Sequence, residues 1–303
     1  MTNKKYNGII IPAVTPLTQT YQLDVAAVDR MMAYFRENNA SPFILGTTGE
    51  APSLSFKLRE EYIKAASGFK QDGEMLYAGI AGNCFEETLD IAVVAAEYNV
   101  DAVVATLPSY YQLTEPQMKR YFERLADACT VPLIVYNIPA TVHQTLPVHL
   151  IEELSYHPNV VAVKDSERND RRLFESLRLW SDRPDFSYFL GWAAKSAVAL
   201  INGADGIVPS TGNINAEIYH EMWQAVEQGD HARANALQNV SDELGNLYQQ
   251  GRTLGESLWA LKTLMQEKGL CEPYVMPPLE PMSDDEKVSI LDSLNEFIKV
   301  GTK

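Results

Sequence analysis

A lysine that directly follows an apolar, strand-like run is the strongest sign of chemistry in this sequence. Residues 160–163 are four consecutive apolar residues, and Lys164 follows them. An ammonium group at the end of a buried strand costs free energy unless it is paired, exposed in a cleft or used in catalysis. Apolar surroundings lower the pKa of a lysine, and the neutral amine can attack a ketone to form an imine. We therefore predict that Lys164 is catalytic.

Three further residues could take part in imine chemistry. Tyr136 ends another apolar run, and a tyrosine beside an imine can carry protons to and from the substrate. Thr47 and Thr48 lie between two glycines ahead of a predicted helix, where hydroxyl and backbone N–H groups can bind a carboxylate. Glu50, just beyond them, is expected to brace this loop. These residues suit a substrate that carries both a ketone and a carboxylate.

The elements that position these residues follow from an alternation of apolar runs with helical periodicity. Asn83 with Glu86 and Thr114 with Gln117 fit helix N-caps. Eight strand-helix pairs predict an α/β fold, a parallel (β/α)8 TIM barrel. A dinucleotide-binding sheet is disfavoured because no G-x-G-x-x-G sequence follows the first run. The eight predicted strands cover residues 9–13, 43–45, 75–80, 102–105, 133–136, 160–163, 186–190 and 206–208.

In such a barrel the active site lies at the C-terminal ends of the strands. Residues that follow each run are therefore candidates, and they include Tyr110, Ser166, Gly191 and Ser210. After the last strand the pattern becomes helical only, over residues 217–228, 230–248, 257–268 and 283–299, and Ser283 with Glu286 forms a capping box. We predict a catalytic barrel domain over residues 1–228 and a C-terminal helical domain over residues 229–303.

Composition excludes several classes of function. The chain has 303 residues, of which 46% are apolar, so it can bury a large core. No apolar run approaches the roughly 18 residues that a membrane span needs. The net charge of −15 disfavours nucleic acid and anionic membranes as partners. The three cysteines and five histidines lack disulfide or zinc spacing, so we expect a cytoplasmic protein without a metal or cofactor.

Four motifs together resemble the family of dihydrodipicolinate synthase and N-acetylneuraminate lyase, which are class I aldolases and lyases that handle pyruvate. The resemblance covers nearly the full length, and the motifs occur in the family's order and at its spacing. They are Gly46-Thr47-Thr48-Gly49-Glu50, Tyr136-Asn137-Ile138-Pro139, Val163-Lys164-Asp165-Ser166 and Gly203-Ala204-Asp205-Gly206.

The resemblance implies a role for each candidate. Lys164 is expected to form the Schiff base, Tyr136 to relay the proton, and the two threonines to hold the carboxylate of pyruvate. Tyr110 corresponds to a tyrosine that reaches the active site of a neighbouring subunit in relatives, and Val208 to a backbone position near pyruvate. Relatives are commonly dimers of dimers, so the resemblance implies a homotetramer.

Differences from the two best-known branches narrow the predicted substrate. Synthases carry an arginine that binds a second carboxylate where this chain has Thr141. Sialic acid lyases carry an acidic pair for the sugar hydroxyls where this chain has Ala193 and Ala194. Thr141 and Ser210 could bind a shorter hydroxylated chain. The remainder resembles the 2-keto-3-deoxy sugar acid aldolases of carbohydrate metabolism.

We therefore predict a Schiff-base lyase that cleaves a 2-oxo-3-deoxy sugar acid reversibly to pyruvate and an aldehyde. Two alternatives use the same chemistry, namely N-acetylneuraminate lyase and dihydrodipicolinate synthase. A third alternative from another class is a non-catalytic ligand-binding barrel. The presence of both Lys164 and Tyr136 argues against that third alternative.

Overall fold

In the computed structural model, which describes residues 4–301, eight parallel strands form a closed barrel. Each strand pairs with the next along the chain, and β8 closes the barrel on β1. The predicted TIM barrel is confirmed. The strands are β1 (Gly8–Pro12), β2 (Ala40–Ile44), β3 (Tyr77–Gly79), β4 (Ala102–Thr106), β5 (Leu133–Asn137), β6 (Val160–Asp165), β7 (Ser187–Leu190) and β8 (Gly206–Ile207).

Helices connect the strands, and three more follow the barrel. The helices are α1 (Val25–Glu37), α2 (Phe56–Phe69), α3 (Phe85–Glu97), α4 (Glu115–Ala128), α5 (Pro139–Val142), α6 (Val148–Leu154), α7 (Asp170–Trp180), α8 (Ser196–Ile201), α9 (Ala216–Glu227), α10 (His231–Gln249), α11 (Leu254–Glu267) and α12 (Asp284–Gly301). The long helix α10 packs against both α8 and α9 of the barrel. The C-terminal helices are confirmed, and the domain boundary between residues 228 and 229 stays a prediction.

Two of the three helix starts that capping residues predict are confirmed. Gln117 accepts a hydrogen bond from the backbone N–H of Thr114, and Glu286 does the same for Ser283, so both predicted capping boxes are confirmed. The predicted cap at Asn83 is wrong, because α3 begins after Cys84. The Asn83 side chain instead accepts hydrogen bonds from the N–H groups of Ser109 and Tyr110, in the loop after β4.

Alternate residues of each strand face opposite sides, which divides the barrel into an inner and an outer core. Ile10, Ile134 and Ala162 belong to the cluster inside the barrel. Val163 belongs to the larger cluster between the strands and the helices. The same alternation turns Lys164 to the inside of the barrel, where it is only 5% exposed.

A buried ion pair ties the loop after β2 to the C-terminal helices. Glu50 lies 2.5 Å from the ammonium of Lys262 in α11, and neither side chain is exposed to solvent. The second carboxylate oxygen of Glu50 accepts a hydrogen bond of 2.7 Å from the N–H of Met276. Lys262 also donates to the carbonyl of Tyr274. Glu50 therefore braces the loop that carries Thr47 and Thr48, as predicted.

Candidate active site

Lys164 lies near the C-terminal end of β6, between two strands that supply aromatic neighbours. In the strand register it is opposite Tyr136 of β5 and Phe189 of β7. Its ammonium lies 4.0 Å from the ring centroid of Tyr136 and 4.7 Å from that of Phe43. Burial lowers the pKa of Lys164, and its interactions with Tyr136 oppose that shift only in part. More of the amine is therefore neutral than for an exposed lysine.

The hydroxyl of Tyr136 is linked to Ser166, which follows β6. Ser166 donates a hydrogen bond of 3.3 Å to the Tyr136 hydroxyl. Gly191 directly follows β7 and has no side chain, which leaves room for Ser166. A Cβ atom at position 191 would lie 2.0 Å from the Oγ of Ser166. Two predicted site residues, Tyr136 and Ser166, are therefore hydrogen-bonded to each other, and a larger residue at position 191 would displace Ser166.

The residue after the lysine faces the other way and anchors the end of β6. Asp165 accepts hydrogen bonds from Asn137, at 2.9 Å, and from the guanidinium of Arg172 in α7, at 2.5 Å. Asn137 in turn accepts from the N–H of Leu146. Because these bonds hold Asp165 outside the barrel, the strand alternation holds Lys164 inside it.

Thr47 and Thr48 lie in the tight loop that the braced Glu50 closes. Gly49 donates to the carbonyl of Gly46, and the hydroxyl of Thr15 donates to the carbonyl of Gly49 at 2.6 Å. Both threonines are half-buried, and their hydroxyls make no hydrogen bond to any residue within 4–301. These hydroxyls are therefore available to a carboxylate.

A cavity of about 630 Å³ opens above Lys164 at the C-terminal ends of the strands. Ser210 shares a hydrogen bond of 2.7 Å with the hydroxyl of Tyr248, and Thr141 donates at 3.4 Å to the carbonyl of Ile138. Every predicted site residue except Tyr110 lines this cavity: Thr47, Thr48, Tyr136, Thr141, Lys164, Ser166, Gly191, Val208 and Ser210.

Tyr110 lies outside the cavity of its own chain. Its side chain is 78% exposed, and its ring packs edge-on against Tyr111 with 4.9 Å between the ring centroids. The predicted role for Tyr110 lies in a neighbouring subunit, so its exposure here leaves that role a prediction.

Sequence reasoning missed one wall of the cavity. Glu167 and Arg168 follow β6, Pro12 ends β1, and residues 138–140 follow β5. The wall opposite the strand ends comes from α10, α11 and the connector between these helices. No short-range signal connects α10 with Lys164 in the sequence, since only the packing of the C-terminal helices brings them together. From this region Tyr248, Gln249, Arg252, Thr253, Leu254, Ser257, Leu258 and Leu261 line the cavity.

Residues 4–301 contain no group of three His, Cys, Asp or Glu side chains placed to hold a metal ion. No helix in the same range combines the length and apolar character that a bilayer crossing requires. The expectation that no cofactor is needed stays a prediction.

Comparisons with known proteins agree with the fold and the motifs. Residues 5–297 match the model of the dihydrodipicolinate synthetase family. The 4-hydroxy-tetrahydrodipicolinate synthase of Nitrosospira multiformis is 25% identical over 298 residues, with 98% of this chain and 97% of the relative covered. N-acetylneuraminate lyase 2 of Escherichia coli is 27% identical, with 96% and 94% covered.

The solved structures lead to the same family. The dihydrodipicolinate synthase of Bacteroides thetaiotaomicron superposes with a TM-score of 0.91 at 29% identity, over 97% of this chain and 99% of that chain. The family model covers nearly the whole chain, and the expected family resemblance is confirmed. The chain therefore belongs to the dihydrodipicolinate synthetase family and is an enzyme of its class I pyruvate aldolase and lyase type.

Proposed function

We propose that this enzyme cleaves a 2-oxo-3-deoxy sugar acid reversibly to pyruvate and an aldehyde through a Schiff base on Lys164. One observation carries the proposal: a buried lysine of lowered pKa lies against Tyr136 at the base of a cavity that also presents Thr47 and Thr48. A neutral amine is the nucleophile that imine formation requires.

The reaction follows from the positions of these groups. The neutral Lys164 amine adds to the C2 ketone, and Tyr136 donates the proton with which the C2 oxygen leaves as water. The products are a Tyr136 phenolate and an iminium that withdraws electrons from C3. Tyr136 then accepts the proton of the C4 hydroxyl, and the C3–C4 bond breaks to an aldehyde and an enamine. A proton returns to C3, and hydrolysis of the imine releases pyruvate and the free amine.

The remaining residues hold the substrate during this sequence. Thr47 and Thr48 bind the carboxylate next to the ketone, and the backbone at Val208 lies beside the pyruvate carbons. Ser166 keeps the Tyr136 hydroxyl oriented through their hydrogen bond. Thr141 and Ser210 face the part of the cavity that would receive the hydroxylated chain beyond C4.

Two other substrates fit the same chemistry. Relatives named as synthases and as an N-acetylneuraminate lyase are about equally similar to this chain. Thr141 has no charge with which to bind a second carboxylate. Ala193 and Ala194 have no side-chain oxygen that could accept hydrogen bonds from the hydroxyls of a sialic acid. These positions favour a short hydroxylated substrate over both.

A pyruvate-release assay with lactate dehydrogenase tests the substrate class. The substrates are a panel of 2-oxo-3-deoxy sugar acids of five to seven carbons, with N-acetylneuraminate as a separate arm. Consumption of pyruvate with aspartate semialdehyde is measured in parallel. We expect the highest kcat/KM with one of the keto-deoxy acids. A higher kcat/KM with N-acetylneuraminate or aspartate semialdehyde would contradict the proposal.

We further propose that the active enzyme is a cytoplasmic homotetramer in which Tyr110 of one subunit reaches the site of another. The exposure of Tyr110 and Tyr111, at 78% and 72%, supports a contact surface there, because two adjacent aromatic rings in water are unusual on a monomer.

A further inference from the structure

Two arginines line the part of the cavity that the reaction does not use. Arg168 lies four residues beyond Lys164, on the loop between β6 and α7, and Arg252 lies on the connector between α10 and α11. They approach the cavity from different elements of the chain. The mechanism through Lys164 and Tyr136 assigns neither of them a role.

Both guanidinium groups keep N–H donors that have no acceptor among residues 4–301. The Nε of Arg252 is buried and has no hydrogen-bond partner, and its Nη1 donates at 3.1 Å to the carbonyl of Leu247. Arg168 is exposed, and it forms no ion pair with any of residues 4–301. The Arg252 Nε is out of reach of solvent and therefore of a ligand, so the Nη2 of Arg252 and the guanidinium of Arg168 are the donors that an anion in the cavity could use.

The two carboxylates near these arginines, those of Glu167 and Glu256, already interact with other residues. Glu167, the acidic residue that lines the cavity, accepts a hydrogen bond from Asn137 and lies 3.7 Å from Arg172. Glu256 accepts hydrogen bonds from the N–H and the hydroxyl of Thr253, which lower its pKa, and the nearby Arg252 lowers that pKa further. Besides Lys164, the charged residues that line the cavity are Arg168, Arg252 and Glu167, so the lining has a net positive charge in a chain of net charge −15.

We propose that Arg168 and Arg252 form a second anion subsite that binds a terminal carboxylate or phosphate on the aldehyde half of the substrate. The inference rests on the proposed function, because it takes the Thr47 and Thr48 hydroxyls as the site of the first carboxylate. An anion at the far end of the chain receives charge-assisted hydrogen bonds from two guanidinium groups. The absence of an arginine at position 141 leaves this wall of the cavity as the source of positive charge.

The test is aldol addition of pyruvate to three matched aldehydes. Glyceraldehyde is neutral, 2-hydroxy-3-oxopropanoate carries a carboxylate in place of its terminal alcohol, and glyceraldehyde 3-phosphate carries a phosphate. We expect one of the two anions to exceed glyceraldehyde in kcat/KM by about 10- to 100-fold, which corresponds to one charged hydrogen-bonded contact. The anion with the higher value identifies the source.

Variants assign that preference to the arginines. Arg252→Gln and Arg168→Gln should each reduce the ratio of kcat/KM for the anion to kcat/KM for glyceraldehyde, and Arg252→Lys should keep part of it. Arg124→Gln is the control, since Arg124 is exposed on α4 and lines no part of this cavity. It should leave the ratio unchanged.

Two outcomes would overturn the inference: equal kcat/KM for all three aldehydes, or an anion preference that persists in the Arg168→Gln/Arg252→Gln double variant. Borohydride trapping of pyruvate on the wild-type enzyme separates this failure from failure of the proposed function. A trapped adduct without anion preference removes only the subsite. Absence of the adduct removes the proposed function itself.

Discussion

Lys164 combines two properties that normally exclude one another, namely burial and a titratable amine. Its position inside the barrel places the ammonium among aromatic rings, and desolvation lowers its pKa. That shift supplies the neutral amine that imine formation needs, and it also destabilises the folded state. Reactivity and stability are therefore opposed at this residue.

Replacing Lys164 with methionine should abolish activity and stabilise the fold. The folded-state pKa is lowered, so the folded protein binds fewer protons than the unfolded chain between the folded and unfolded pKa values, and wild-type stability increases with pH in that window. The variant should therefore gain about 1.4 kcal/mol at neutral pH per unit of pKa lowering. Urea unfolding at pH 7 and pH 9 measures this gain. A gain that grows with pH would contradict the account.

Tyr136→Phe should separate proton transfer from packing. The variant keeps the ring beneath the Lys164 amine but loses the hydroxyl, so we expect kcat to fall by about 100- to 10,000-fold with little loss of stability. Tyr219→Phe is the matched control, since Tyr219 is also buried but bonds to Ser241 away from the cavity. Wild-type kcat in Tyr136→Phe would refute the assigned role.

At the scale of elements, the loop after β2 and helix α11 act as one unit. The loop carries the two threonines, and α11 supplies Lys262 to the buried carboxylate of Glu50. Removing one partner from a buried ion pair leaves the other charge unpaired in the interior. The position of the threonines therefore depends on a helix that begins about 200 residues later in the chain.

Glu50→Gln should destabilise the protein by about 3–5 kcal/mol, because it leaves the Lys262 ammonium without its counter-charge. The control is Glu217→Gln, which removes the exposed pair of Glu217 and Lys268 at 3.6 Å and should cost less than about 1 kcal/mol. Chemical denaturation of both variants provides the comparison. Equal losses in the two variants would show that the buried pair has no special role.

At the scale of the whole molecule, local sequence signals predicted the barrel but not the full cavity. Lys164 and Tyr136 were found because each ends an apolar run, and strand ends are active-site positions in a barrel. Strand β2 begins earlier than predicted, since Ser41 and Pro42 hide its start from a pattern of apolar residues. Arg252 was missed because packing between distant segments brings it to the cavity. Such contacts leave no trace in local periodicity.

The proposed assembly also belongs to the scale of the whole molecule, because Tyr110 would act in a neighbouring subunit. If Tyr110 and Tyr111 form a subunit contact, Tyr110→Ala should weaken the assembly by at least about tenfold in dissociation constant, because aromatic anchors dominate interface energetics. Sedimentation velocity over a range of concentrations measures this, with Tyr156→Ala as the control at an equally exposed tyrosine. A wild-type protein that remains monomeric at high concentration would remove the proposal.

The proposed chemistry depends above all on an imine between the amine of Lys164 and pyruvate. Incubation with pyruvate and sodium borohydride, followed by proteolysis and mass spectrometry, tests it directly. We expect a reduced pyruvyl adduct on the peptide that contains Lys164, with loss of activity in proportion to labelling. An unmodified Lys164, or an adduct on another lysine with Lys164 intact, would contradict it.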